Sequence, residues 1–340
     1  MKLLIFYGIG ILLLCVGLCS CSKRKAEFTD EQKMLELNEK FLQAEKKDDF
    51  AGMQKIAEEM YSLARELEPD ETGRLMMAGA HIKRGLAYSD QKKRKEAFKE
   101  FDAAIAISPD PSLVLYTYNL KISTSLSRKY AGEVNEIITA CLREYEKIKA
   151  SEAFRKDSEF RENILNSYSG VVFSYCHFLF WMKKYARAKK MIFNFLAEFK
   201  SETDFGRQTD FSASIFFILS QAFRGEKNFA QERYYLTKSL YWAKQEKYVF
   251  EFLYLRLAAY EVMQKKYDQA LSYCDSGLAM KQFVSNQVYE DSCAMLLFAK
   301  SKIYEEMGQP EIAAEFAQKA LKLNSSPHFQ KIFNLWWVKK

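Results

Sequence analysis

Residues His81–Pro109 read HIKRGLAYSDQKKRKEAFKEFDAAIAISP, and this stretch decides the fold. Apolar and small residues recur on both sides of a short polar segment at the three- and four-residue spacing of a helix face. Two helices joined by a tight turn would place these residues on one shared seam: Gly85, Tyr88, Ala97, Phe101 and Ala104. Several later stretches of the chain repeat this layout, so we examined the sequence for repeats first.

The composition predicts an all-α protein. The chain has 340 residues, of which 49% are hydrophobic, and it contains only 13 glycines and 5 prolines. Leu, Ala, Glu, Lys and Gln, which favour helices, predominate over runs of β-branched residues. The net charge is +7, but acidic and basic residues interleave along the whole chain, as expected for solvated helix faces. Lys92–Lys95 is the most basic segment and lies in a predicted turn, so no nucleic-acid partner is expected.

The layout of His81–Pro109 resembles the tetratricopeptide repeat (TPR). In that family a small residue and an aromatic residue lie on the first helix, where this chain has Gly85 and Tyr88. The second helix carries alanines, an aromatic residue and a final proline, which match Ala97, Phe101, Ala104 and Pro109. One departure is Arg94, where an aromatic residue usually closes the turn. The resemblance implies a right-handed superhelical α-solenoid of helix-turn-helix repeats with a concave side.

About seven repeats are predicted across residues 29–327. A capping box of Thr29 and Gln32 predicts that the first helix begins at residue 29. The charged segment Arg143–Glu162 is interpreted as a long second helix that runs into an irregular connection, Lys200–Asp210 as a similar polar break, and residues 328–340 as a capping helix or tail. Besides the turn at Lys92, the predicted turns lie at Asp48–Phe50, Arg128–Tyr130, Lys183–Ala188, Lys227–Phe229, Lys265–Ala270 and Gly308.

The N-terminus has the pattern of an export signal. An apolar run from Leu3 to Leu18 follows one lysine and ends in a segment of small residues. Leu18–Cys21 resembles the bacterial lipobox, which implies removal of residues 1–20, lipidation of Cys21 and a tether over residues 21–28. We therefore expect a lipid-anchored, periplasm-facing protein of the bacterial cell envelope. The alternative is an uncleaved signal anchor, although the apolar run is short for a membrane span.

No catalytic constellation is evident, so the chain is not expected to be an enzyme or to hold a cofactor or metal. His81, His177 and His328 are widely separated, and the common catalytic motifs are missing from the sequence. Of the cysteines after residue 21, Cys176 and Cys274 fall at seam positions, where buried thiols are common. Cys274 and Cys293 lie on consecutive predicted helices, and the sequence leaves open whether they form a disulfide.

The resemblance also implies a binding groove, because the first helices of such repeats line the concave side. Carrying the ligand-facing positions over to this chain gives Tyr118, Asn119, Phe173, His177, Trp181, Phe217, Gln221, Arg224 and Arg256. This mixture of aromatic, amide and arginine side chains is typical of a recognition surface. A protein or peptide partner is the preferred hypothesis. The alternatives are a ligand-sensing ectodomain of a regulatory system and a glycan-binding lipoprotein of nutrient uptake.

The lipobox interpretation predicts the mass of the mature protein. Cleavage before Cys21 followed by acylation gives a chain that starts at this cysteine and carries acyl groups. Mass spectrometry of the protein purified from its native membrane measures both features. An intact Met1 on that protein would contradict lipidation.

Overall fold

The computed structural model describes residues 25–67, 70–245, 251–279 and 286–326, together with residues 329, 333 and 337. Within these ranges the chain forms helices and turns and no strand, which confirms the predicted all-α class. The predicted signal peptide, Cys21 and most of the tail at 328–340 lie outside the described residues. No helix in the described part has the length and apolar character needed to cross a membrane.

The chain divides into two compact units, one up to Phe178 and the other from Leu179. The first unit contains α1 Lys25–Lys46, α2 Phe50–Glu66, α3 Glu71–Asp90, α4 Arg94–Ile107, α5 Pro111–Thr124, α6 Ala131–Ala150, α7 Glu152–Lys156 and most of α8 Ser158–Trp181. The second contains α9 Tyr185–Leu196, α10 Glu202–Gln208, α11 Ser212–Gly225, α12 Phe229–Gln245, α13 Glu251–Met263, α14 Tyr267–Leu278, α15 Asn286–Glu306 and α16 Pro310–Leu323. Consecutive helices pack against one another from α1 to α7 and from α10 to α16.

Each of the seven predicted turns joins the two helices of a pair. Six of these turns have one residue with positive φ: Asp48, Lys92, Lys183, Lys227, Lys265 and Gly308. At each of them the next backbone N–H donates to the carbonyl five residues earlier, with N···O distances of 2.8–2.9 Å. This is the Schellman closure of a helix C-terminus. The seventh turn, at Arg128–Tyr130, is a 3₁₀ helix instead.

The seam predicted from His81–Pro109 is present in the second helix pair. Ala97, Phe101 and Ala104 are buried on α4, facing α3. A Cβ atom added to Gly85 would lie 2.4 Å from a ring carbon of Phe101, so only glycine leaves room for this ring. Truncation of a buried phenylalanine to alanine typically costs about 3–5 kcal/mol, which makes this contact a main source of stability for the pair.

The residue that closes a turn also contacts the following helix pair. Tyr185 starts α9, and its ring lies against Gly225 of α11, where an added Cβ would be 2.3 Å from the ring. Arg94 occupies the corresponding place at the start of α4. Its guanidinium lies 3.8 Å from the centroid of the Tyr130 ring in the next turn and donates to Ser125 Oγ at 3.1 Å. The arginine therefore replaces the usual aromatic residue as the contact between neighbouring repeats.

Two sequence-based boundaries differ from the structure. The first helix begins at Lys25, four residues before the predicted start at Thr29, because the helix-forming residues Ala26 and Glu27 extend it. The predicted connection at Lys200–Asp210 contains helix α10. Phe205 of this helix is fully buried, and Gly206 lies so close to Trp242 that a Cβ would be 2.1 Å from the indole. One buried aromatic residue is enough to order a segment that is polar overall.

None of the four cysteines in the described part of the chain is in a disulfide. Cys141, Cys176 and Cys274 are buried, and Cys293 is partly buried. Cys274 and Cys293 therefore do not form the disulfide that the sequence left open. Burial raises the pKa of Cys141, Cys176 and Cys274, so these thiols stay protonated and unreactive near neutral pH.

The positive φ at the turns predicts that glycine substitutions at two adjacent lysines change the free energy of unfolding in different ways. Lys183 has a φ of +57°, whereas Lys184 has a φ of −90°. Lys183→Gly should raise the free energy of unfolding by about 1 kcal/mol, because glycine adopts positive φ without steric cost. Lys184→Gly, the matched control, should leave it unchanged or lower it. Urea denaturation followed by circular dichroism measures both variants, and stabilisation by Lys184→Gly alone would contradict the argument.

Candidate functional site

The nine predicted groove residues fall into two sets, one in each unit. Tyr118 and Asn119 lie on α5, and Phe173 and His177 on α8, all within the first unit. The second unit holds Trp181, Phe217, Gln221, Arg224 and Arg256, which lie at the end of α8, on α11 and on α13. Lipidation of Cys21 stays a prediction, since this residue is outside the described ranges.

In the first unit, Asn119 joins two helices. It is 5% exposed, and its Oδ1 accepts a hydrogen bond of 2.6 Å from Ser174 Oγ on α8. The hydroxyl of Ser174 also lies 3.2 Å from that of Ser123, one helical turn along α5 from Asn119. Hydrogen bonds between buried polar groups fix the register of the helices that carry them. The hydrogen bond between Asn119 and Ser174 therefore stabilises the packing of α5 against α8. Direct contact of Asn119 with a ligand stays a prediction.

Phe173 and His177 form a stacked pair on α8. Their ring centroids are 6.0 Å apart with 20° between the planes. Burial lowers the pKa of His177 to about 4, so the imidazole is neutral at pH 7. A neutral imidazole has one donor and one acceptor nitrogen and can pair with a polar group of either kind. Tyr118 is half-buried on α5, and burial raises the pKa of its phenol, which stays protonated.

In the second unit, α11 presents three predicted residues on one face. Phe217, Gln221 and Arg224 are spaced by four and three residues, which places their side chains one above another. Gln221 is buried, and its Nε2 lies 3.3 Å from Ser220 Oγ. Its Oε1 is also buried and has no hydrogen-bond partner in the described structure. An unsatisfied buried acceptor costs about 1–3 kcal/mol, a cost that an incoming donor would remove.

Next to this face lies a buried ion pair between α12 and α13. The side chains of Arg256 and Glu232 are each 1% exposed. Nη2 and Nε of Arg256 donate to Glu232 Oε1 at 2.5 and 3.1 Å. Glu232 Oε2 is buried without a hydrogen-bond partner among the described residues. Removing either charge would leave the other buried alone, which typically costs about 3–5 kcal/mol.

Arg224 is coupled electrostatically to this pair. Burial and, to a lesser extent, the positive charge of Arg256 lower its pKa to about 10, whereas Glu232 acts in the opposite direction. Residues from three consecutive helices therefore converge on one small region with two guanidinium groups, one carboxylate and the Gln221 amide. Such a region can donate hydrogen bonds through guanidinium N–H groups and accept them at two carbonyl or carboxylate oxygens.

Sequence reasoning missed the acidic partners of these arginines. Glu232 pairs with Arg256, and Glu261, which is also buried, accepts hydrogen bonds of 2.9 and 2.8 Å from Arg233. The interleaving of acidic and basic residues along the chain predicts solvated positions for both glutamates. Helical spacing could have revealed the burial of Glu232, because it lies four and eight residues before the buried Leu236 and Leu240 on α12. A charged residue on the apolar face of a helix indicates a buried ion pair.

Lys83 is a further buried charge that the sequence did not reveal. It lies on α3 in line with the buried Ala87, and its Nζ is 4.8 Å from the centroid of the Phe41 ring. Burial lowers the pKa of Lys83, and the nearby Glu45 opposes this shift. Burial likewise raises the pKa of Glu45. The pair joins α1 to α3.

Comparison with known proteins identifies the repeats. The tetratricopeptide repeat family matches residues 78–111 and 296–327, which cover most of the α3–α4 and α15–α16 pairs. These two helix pairs are tetratricopeptide repeats. Repeats of this family generally mediate contacts with protein partners. No curated protein matches the sequence.

Solved structures of similar fold come from several bacteria. pilF of Pseudomonas aeruginosa has a TM-score of 0.47 and 19% identity, covering 77% of this chain and 99% of its own. A tetratricopeptide repeat protein of Parabacteroides merdae has a TM-score of 0.43 and 16% identity, covering 90% and 99%. BtubC of P. vanneervenii has a TM-score of 0.41 and 14% identity, covering 82% and 91%. The identification of the repeats depends on the family match and not on these superpositions.

The neutral His177 predicts a loss of stability in mild acid. Its pKa is about 4 in the fold and near 6.5 when unfolded, so between these values the unfolded chain binds more protons. Stability therefore falls as the pH drops from 6.5 towards 4, and His177 contributes at most about 2 kcal/mol at pH 5. Urea denaturation at pH 7 and pH 5 should show a smaller loss for His177→Gln than for the wild type. Equal losses in the two proteins would show that His177 is not buried as described.

Proposed function

We propose that this protein is a membrane-anchored lipoprotein that acts as a non-enzymatic scaffold. Its first-helix faces would bind an extended segment of a partner protein. The repeats support the class of function, because tetratricopeptide repeats serve protein–protein contacts. The Leu18–Cys21 motif supports the anchor and a periplasm-facing position in a bacterial envelope.

The unsatisfied Oε1 of Gln221 is the observation that carries the binding proposal. This buried acceptor lies on the same face of α11 as the guanidinium of Arg224. A peptide backbone offers one N–H donor and one C=O acceptor per residue. Gln221 would accept from the backbone N–H, and Arg224 would donate to a carbonyl. The two contacts together suit a main chain in an extended conformation and depend little on its sequence.

Aromatic side chains on the predicted groove helices would add affinity. Phe217 lies one helical turn from Gln221 on α11 and is partly exposed. Trp181 is 46% exposed at the end of α8, an unusual position for so large an apolar surface. Partly exposed aromatic residues near polar groups are typical of the energetically dominant part of an interface. Apolar side chains of the bound segment would pack against them.

The experiment is affinity capture from native membranes with the lipidated full-length protein. Gln221→Met and Arg224→Met together remove the acceptor and the guanidinium while conserving side-chain volume. We expect the double variant to lose at least about tenfold of the captured partner, since each lost hydrogen bond to a charged or buried group costs about 1.5–3 kcal/mol. Quantitative mass spectrometry of the bound fraction measures this yield.

A matched control removes one amide and one cationic side chain from another helix. Gln231 and Lys244 are exposed on α12, so Gln231→Met with Lys244→Met deletes one amide and one cation away from the α11 face. This control should capture the partner as the wild type does, and circular dichroism should show the helical content of all three proteins to be equal. Undiminished capture by the Gln221/Arg224 variant would refute the proposed site.

A further inference from the structure

Two turns of the first unit form a concentrated basic surface. Residues 91–95 read QKKRK and residues 127–130 read SRKY, with no acidic residue in either segment. Five cations of these segments are exposed, and we name them the basic patch: Lys92, Lys93, Lys95, Arg128 and Lys129. The sequence shows each segment separately, and it is the fold that brings them together.

Arg94 shows that the two turns are neighbours. From the first turn it reaches the ring of Tyr130 at 3.8 Å and Ser125 Oγ at 3.1 Å in the second. It also forms an ion pair with Glu133 of α6, which balances its charge. Arg94 is therefore the inner cation of this region and a structural contact, while the five residues of the basic patch surround it at the surface.

The fold does not explain why this surface is basic. The turn at residues 91–93 requires a left-handed residue at Lys92, a position that glycine or asparagine fills at lower cost. Lys93 precedes the first residue of α4 without capping it, although a positive charge at a helix N-terminus is unfavourable. Clustered like charges repel one another and attract anions from solution. Lysines also occupy these two positions at Lys183–Lys184 and Lys265–Lys266, so the distinguishing feature of this surface is the neighbouring turn with Arg128 and Lys129, which concentrates the positive charge.

We propose that the basic patch binds an acidic, carboxylate-rich segment of a partner protein. Charge complementarity is the primary argument, since the patch offers five exposed cations over two adjacent turns. Carboxylates of Asp and Glu pair with Lys and Arg through charge-assisted hydrogen bonds. This surface lies at the turns of the repeats and is separate from the first-helix face proposed above to hold an extended segment.

Nucleic acid fits the patch less well than an acidic peptide. Binding of single strands usually combines a basic groove with aromatic rings on which bases stack. The two tyrosines here are half-buried, and cations already cover them. Tyr88 has Lys93 at 5.9 Å, and Tyr130 has Arg94 at 3.8 Å and Lys129 at 5.5 Å. No ring of these two turns is left open for a base.

A lipid headgroup of the protein's own membrane is also disfavoured, and this step depends on the proposed lipidation of Cys21. Helix α1 has 22 residues and is about 33 Å long. It ends beside the turn at Asp48. Gln91, which follows the last residue of α3, donates to Gln54 of α2 at 3.3 Å, so the basic patch and the turn at Asp48 share one edge of the unit. Cys21 precedes the other end of α1 by four residues, a reach of at most about 14 Å. The anchor would hold the opposite edge towards the bilayer.

The test uses the full chain in detergent and a fluorescent poly-L-glutamate peptide as the probe. Binding is followed by anisotropy at low and at physiological salt. The patch variant combines Lys92→Glu, Lys93→Glu, Arg128→Glu and Lys129→Glu and keeps Arg94 in place. Its matched control carries Lys183→Glu, Lys184→Glu, Lys265→Glu and Lys266→Glu, exposed lysines at the equivalent turns of the second unit. The change in net charge is identical in the two variants.

We expect the patch variant to bind poly-L-glutamate at least about tenfold more weakly than the wild type, and the control to bind it nearly as well. Equal weakening in both variants would mean attraction by overall charge and would overturn the proposal, as would no weakening in either. Oligodeoxythymidylate or anionic vesicles that displace the peptide at lower concentration than unlabelled poly-L-glutamate would overturn the class of partner. The Gln221→Met/Arg224→Met variant should bind the probe normally, which separates this test from that of the proposed function.

Discussion

The packing of the helix pairs depends on one backbone conformation. Six of the seven turns reverse the chain through a residue in the left-handed region, followed by a hydrogen bond back to the last turn of the first helix. This closure sets where the second helix starts and so which of its residues face the first. The contact between Gly85 and Phe101 and that between Tyr185 and Gly225 both lie close to such a turn. A different reversal would move these side chains away from the spaces that receive them.

Polar contacts then specify which helices meet. Apolar seams made of alanine and leucine can slide or exchange partners at little cost, but a buried hydrogen bond or ion pair cannot. Asn119 with Ser174 joins α5 to α8, and Arg256 with Glu232 joins α13 to α12. The residues that look most suitable for binding in the sequence thus include some that maintain the architecture. Buried acceptors that the fold leaves unsatisfied, such as Gln221 Oε1, are better indicators of a binding role.

Features encoded locally were predictable from the sequence, and features that depend on distant residues were not. The turn at Lys183 and the seam at Ala97 and Phe101 were found because spacing along one helix pair determines them. The burial of Glu232 depends on an arginine 24 residues away, and helix α10 depends on the fit of Trp242 against Gly206. The basic patch needed the fold as well, because only the contacts of Arg94 show that its two segments adjoin. The handedness of the superhelix stays a prediction.

The thiols have a practical consequence for studying how the array opens. Cys141, Cys176, Cys274 and Cys293 lie on α6, α8, α14 and α15, which belong to four different helix pairs. The first three are inaccessible and protonated in the folded chain, so they react with an alkylating reagent only after their own pair separates. Each of these three cysteines therefore reports the opening of one region of the protein. The order in which the three become labelled would trace the route of unfolding through the repeats without any engineered probe.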